Sequence, residues 1–213
     1  MKPKQVKAGK TSPRRRGQKL HRQEEILAAA FKVFAAHGYE AARIDEVARR
    51  AGIAKGTIYL YFRNKERLFQ AVVRNLIPKR FDALVETLPG PPEDLLRALL
   101  SQMYTNVVGN EKVQSIVRML VAEGGRFPQL AEIYHHEIIV PGMRAMRETL
   151  MRGIAEGKFR KSEALEFPQI IVAPALVAML WQLLFAGRHP LDMGAYVKAH
   201  TEFVMRGLEE FRK

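Results

Sequence analysis

The chain has 213 residues, 47% of them hydrophobic, enough to build real cores in one large or two small domains. Its net charge of +13, from 35 Lys and Arg against 22 Asp and Glu, favours a polyanionic partner such as nucleic acid or an anionic surface. The absence of cysteine excludes disulfides, thiolate metal sites and thiol nucleophiles, and is ordinary for a cytoplasmic protein.

Residues 1–21 hold Lys, Arg, Pro, Gly, Gln and Ser with almost nothing to bury, and read as a mobile basic tail. Lys2, Lys4, Lys7, Lys10, Arg14, Arg15, Arg16, Lys19 and Arg22 all precede the first acidic residue, Glu24. Three roles stand open for this tail: an arm tracking phosphates or a minor groove, a source of non-specific affinity, or no role. No apolar run follows the basic start before Ile26, which argues against a secretory signal.

From Arg22 the helical period begins. Ile26, Leu27, Ala30, Phe31, Phe34 and Ala35 form one stripe, and His37-Gly38 ends it. A second short helix is predicted over Ile44 to Ala51, with Gly52 allowing a tight turn, and a third over about Lys55 to Tyr61. Asn64 is suited to cap a fourth helix from Lys65 to about Ile77, before Pro78. Helix, glycine turn and helix form a helix-turn-helix whose second helix can enter a major groove. Ile53, Ile58 and Phe62 are its expected anchors, with Phe31, Phe34, Val47 and Leu68. Lys55, Gly56, Thr57, Tyr59 and Tyr61 are left to point outward, where lysine, threonine and tyrosine can bond phosphates or base edges. Core packing is the competing role for the two tyrosines. Lys65, at a helix start, combines its charge with free backbone N–H groups.

Leu88-Pro89-Gly90-Pro91-Pro92 breaks any helix, and beyond it the period resumes near 93–108, 111–124, 128–156, 165–187 and 192–212. No stretch alternates as a strand would, so the chain reads as all-α: a small head over 22–77 and a bundle over 78–213. Ile170 to Ala186 is apolar on nearly every face but contains Pro174 and Gln182 and is short for a membrane span, so a covered core helix fits better. No membrane partner is expected.

Gly38-Tyr39, Ile44-x-x-Val47-Ala48-x-x-Ala51-Gly52-Ile53 and Lys55-Gly56-Thr57-Ile58-Tyr59-x-Tyr61-Phe62-x-Asn64-Lys65-x-x-Leu68 together resemble the DNA-binding domain of the TetR family of transcriptional repressors. The resemblance covers about residues 24–73. It implies an all-α homodimer with a variable C-terminal ligand domain, and DNA release on ligand binding. Lys55, Gly56, Thr57, Tyr59, Tyr61 and Lys65 match the family's usual DNA-contacting positions. The chain departs from the pattern before Ile44, where Ala42 and Arg43 replace the usual Ser or Thr cap; Arg43 is expected to hold a backbone phosphate by charge instead.

The family's last two helices usually pair the subunits, which points to Ala175, Ala178, Met179, Gln182, Val197, His200 and Val204 as the dimer interface. An effector pocket is expected to recruit some of Met103, Tyr104, Met119, Glu123, Phe127, Tyr134, Trp181 and Phe185, although apolar residues at helical spacing are more often plain core. Glu132-x-x-His135 suggests a di-iron bundle, but no second such pair exists, so neither metal nor cofactor is expected. Phosphate loops, HExxH and nucleophile elbows are absent, which argues against an enzyme. The function expected is a repressor that binds a palindromic operator in double-stranded DNA and is released by a small, largely apolar effector. A ligand-independent or activating regulator, or an architectural DNA-binding protein, is the alternative.

Overall fold

The computed structural model describes residues 13–76 and 90–209, with side chains from Gln18 onward, and every regular element among them is helical. The chain divides into two compact units, Met1–Val72 and Val73–Lys213.

In the first unit, α1 runs Pro13–Ala41, broken at Gly38, where φ of 75° takes the chain out of helical geometry at the position expected to end the helix. The helix begins well before Arg22, so residues 13–21 are not the irregular tail expected from their composition. Arg, Gln, Lys and Leu all favour helix and need no burial to adopt it, and proline suits a first helical turn. Residues 1–12 of that tail lie outside the described residues.

Then follow α2 (Ile44–Arg50), α3 (Lys55–Tyr61) and α4 (Lys65–Arg74). Gly52, at φ of 65°, makes the turn between α2 and α3. Asn64 caps α4, its Oδ1 accepting from the Arg67 N–H at 2.8 Å. The small core is aromatic at its centre: the Phe69 ring meets Phe34 and Tyr39 edge-on, with Ile26, Val33, Val47, Ile58 and Leu68 around it. Phe31 and Ile53, expected as anchors, are only half-buried.

In the second unit, α5 (Pro92–Met103), α6 (Glu111–Glu123), α7 (Pro128–Tyr134), α8 (Val140–Ala155), α9 (Gln169–Phe185) and α10 (Met193–Leu208) form the bundle. The expected helices at 93–108 and 128–156 each contain a widened stretch. Tyr104–Val108 closes α5 with a π turn, and a second π turn, His135–Ile139, joins α7 to α8. A short 3₁₀ turn, Glu163–Leu165, precedes α9. Leu95, Leu96, Leu99 and Leu100 of α5 and Leu150 of α8 are buried together with Val113, Ile116 and Leu130. Asn110 caps α6 by accepting from the Lys112 and Val113 N–H groups, while its Nδ2 donates to the Leu76 carbonyl at 3.2 Å. Pro174 sits inside α9, and the Tyr196 hydroxyl donates to its carbonyl at 2.9 Å.

Candidate nucleic-acid interface and apolar cavity

On the head, α2 and α3 leave one polar surface uncovered. Lys55 is exposed at the first position of α3, and its Nζ lies 2.8 Å from Asp45 Oδ1; this pairing pushes its ammonium above the ordinary lysine value. Gly56 is exposed, and a Cβ built there would meet nothing in the protein within 4 Å. Packing inside the head therefore gives no reason for glycine at this position. Thr57 is half-buried, with its N–H on the Ala54 carbonyl at 2.9 Å. Tyr59 is 47% exposed. Leu60 is 82% exposed. No sequence argument singled Leu60 out, because a leucine between two tyrosines reads as core.

Tyr61 is half-buried and borders a groove with Gln18, Lys19, His21 and Arg22 from the start of α1. Glu25 holds both Arg22, at 2.7 Å, and His21, at 3.3 Å. The helical start of α1 thus places cationic side chains beside the end of α3. Arg43 is exposed ahead of α2 and makes no side-chain capping bond, as its residue type predicts. Lys65 is engaged within the head: its Nζ donates to the Glu40 carbonyl at 2.9 Å and sits 4.7 Å from the Tyr39 ring centre. Behind this surface, hydrogen bonds from Arg50 and His37 outweigh partial desolvation and hold the Glu46 carboxyl below its ordinary value.

In the bundle, a narrow cavity lies between the two π turns, α8 and α9. Val107 and Val108 line it from the first π turn, Ile138 and Ile139 from the second, with Tyr134 just before. Met143 and Met146 come from α8, and Val172, Ala175, Leu176 and Met179 from α9. No charged side chain takes part. Tyr134 supplies the one hydroxyl in this lining, and burial pushes it up to about 12, so it acts as a neutral donor or acceptor. Of the eight residues expected to line a pocket, Met103 and Tyr134 do so. Tyr104 and Met119 are buried elsewhere, the Tyr104 hydroxyl sharing a hydrogen bond with His200 Nδ1 at 2.8 Å. Glu123 and Phe127 lie outside this lining, near the surface. Trp181 and Phe185 lie against each other, rings tilted and centroids 5.0 Å apart, on the exposed side of α9.

The residues expected to join two subunits are placed differently as well. Ala175, Ala178, Met179, His200 and Val204 are buried within the single chain, and Ala175 and Met179 face the cavity. Gln182 is half-buried and accepts from Gln114 Nε2 at 3.2 Å; Val197 is half-buried. α9 leaves Leu176, Trp181 and Phe185 exposed and, beside them, another stripe, Ile170, Ala173, Val177, Leu180 and Leu184, with Phe203 of α10 at 76% exposure. That spacing of three and four is one helix face.

Both π turns also reach the end of α4. Arg74 grips Glu137 of the second turn with two hydrogen bonds, 2.8 and 2.7 Å, and Asn110, just after the first, holds Leu76.

Two family descriptions match the two halves: bacterial regulatory proteins, tetR family, over residues 26–72, and the tetracyclin repressor-like C-terminal domain over residues 90–202. The chain belongs to the TetR family. It is a DNA-binding transcriptional regulator, and the family is non-enzymatic. The fatty acid metabolism regulator protein of Bacillus subtilis is 25% identical over 146 residues, 68% of this chain and 74% of the relative. The HTH-type transcriptional repressor KstR2 of Mycolicibacterium smegmatis is 26% identical over 147 residues, 67% and 70% of the two chains. Among solved structures, the transcriptional regulator FadR from Bacillus subtilis in complex with stearoyl-CoA matches with a TM-score of 0.68 at 19% identity, covering 87% of this chain and 99% of that one. Among the described residues, no helix is long and apolar enough to cross a membrane.

Proposed function

We propose that this TetR-family regulator is a ligand-responsive repressor that grips a palindromic operator as a homodimer and releases it when a small, largely apolar molecule enters the bundle. Lys55, Gly56, Thr57, Tyr59 and Tyr61 meet the duplex from α3, joined by Leu60, whose exposed side chain suits a thymine methyl. Arg43, Lys65 and the cationic start of α1 hold phosphates. The exposed α9 stripe and Phe203 join the two copies, which sets the two reading helices about one DNA turn apart.

One observation carries the ligand response: the walls of the apolar cavity are the π turns that hold the end of α4. The cavity amounts to about 60 Å³, room for only a few waters, so an effector must push the walls apart. Moving Ile138 moves its neighbour Glu137, and with it Arg74 at the end of a helix whose first residue, Lys65, belongs to the head. An effector that fits only the widened cavity binds the two states unequally, and about 1–3 kcal/mol of such difference is typical of allosteric coupling. The lining favours a methylene chain over a polar ring, and the stearoyl-CoA bound by the Bacillus subtilis regulator has such a chain. With no charged lining residue, a charged head group would have to remain outside.

Fluorescence anisotropy of a duplex selected by the protein from a random pool, titrated with fatty acids and acyl-CoAs of increasing length, tests this reading. Release that depends on chain length is expected. Binding indifferent to every apolar compound leaves a ligand-independent regulator in its place, and failure to select any sequence removes operator recognition altogether.

A further inference from the structure

We propose that Glu132, His135 and His136 form a site for a single divalent transition-metal ion, zinc or its neighbours nickel and copper. The three side chains are exposed on the junction of α7 with the second π turn, and the oxygen and nitrogens they can offer lie within 4.8 Å of one another. Glu132 Oε2 and His136 Nε2 are 3.8 Å apart, and the two imidazole rings meet edge to face with centroids 5.5 Å apart. Zinc binds imidazole nitrogen and carboxylate oxygen at about 2.0–2.2 Å, which puts ligands sharing one ion roughly 3.5 Å apart. Small side-chain rotations therefore close the set.

The local backbone explains why three ligands converge. Positions three and four after Glu132 share its helical face. The wider π turn also brings successive side chains closer around the axis, so His135 and His136 can both turn toward Glu132. An ordinary ion pair would account for His136 and leave His135 without a role. The di-iron arrangement suggested by Glu132-x-x-His135 needs a second such motif; a mononuclear site needs none. Two imidazoles and one carboxylate suit zinc, nickel and copper, and water completes the shell. The neighbouring Glu137 is committed to Arg74 and stays out of the set.

An ion held between Glu132 and His136 spans the start of the π turn and braces the stretch that carries Tyr134 and Ile138 to the cavity. Full-length protein without an affinity tag, titrated with zinc against a chromophoric chelator, should bind one ion per chain. His135→Ala and His136→Ala should each weaken binding about tenfold or more, whereas His189→Ala should not. Copper bound to the wild type should show nitrogen couplings from two imidazoles by electron paramagnetic resonance. Amide-exchange protection of residues 132–139 should rise with zinc, and the double variant should lose that rise. No binding below roughly 100 μM, weaker than ligand-rich protein sites achieve, overturns the proposal. So does full retention of the ion by the His135→Ala, His136→Ala double variant.

Discussion

Arg74 and Glu137 form a two-point ion pair across 63 residues of sequence, the guanidinium bonding both carboxylate oxygens at 2.7 and 2.8 Å. The Glu137 side chain is only 8% exposed and that of Arg74 is 60% exposed. A double-mutant cycle with Arg74→Met and Glu137→Gln, followed by urea unfolding, should give a coupling of about 1 kcal/mol, at the upper end for pairs with one wet partner. Glu137→Gln alone should lower the melting midpoint by about 2–4 °C. If both single changes simply add, the pair does not tie the end of α4 to the bundle.

Acid should weaken the bundle through His200. The residue is 6% exposed and its imidazole shares a hydrogen bond with the Tyr104 hydroxyl; burial pushes it below the ordinary histidine value of 6.5, with the Ile171 backbone acting the other way. The unfolded chain therefore takes up a proton before the folded one does. Stability from this group is complete above about pH 6.5 and falls as pH drops from there through the folded value. Thermal melts of wild type and His200→Gln between pH 7.5 and 5 should converge toward acid. A gap that stays constant or widens would show that His200 accepts its proton in place.

Asp45 competes for Lys55. Replacing it with Asn frees the ammonium and removes a negative charge from the proposed reading surface, so affinity for the selected duplex should rise several-fold at low salt. The gain should shrink as salt increases. Anisotropy titrations at two ionic strengths measure it; weaker binding by Asp45→Asn would mean the carboxylate orients Lys55 productively.

A single charge on the exposed α9 stripe should separate the subunits. Leu184 is 70% exposed in the protomer, so Leu184→Glu costs the isolated chain little. Sedimentation should find the wild type dimeric and Leu184→Glu monomeric, with the melting profile of the protomer preserved. A dimer that survives the change uses another face.

The head was legible because its geometry depends on few residues: Gly38 and Gly52 take positive φ where their positions predicted, and Asn64 caps α4. The bundle was harder to read for a definite reason. A helix as uniformly apolar as α9 carries no stripe to say which side turns inward. Ala175 and Ala178, expected in the interface between copies, instead pack inside one chain, and the outward stripe begins at Ile170. The π turns left no signal either, since one extra residue in a turn shifts the period less than a short apolar run can register. Trp181 and Phe185, expected in the pocket, lie against each other at the surface instead. Lys65 shows the converse limit, since its position matched the family while its bond to Glu40 is invisible to any motif.

Asn110 uses opposite ends of one amide: the oxygen serves the first turn of α6, and the nitrogen serves Leu76. Aspartate has the same shape and suits a helix start at least as well, but offers no donor. A change of one atom thus cuts the link to the end of α4 while leaving the bundle's own architecture in place. Under the proposed ligand response, regulation and folding then come apart at a single side chain.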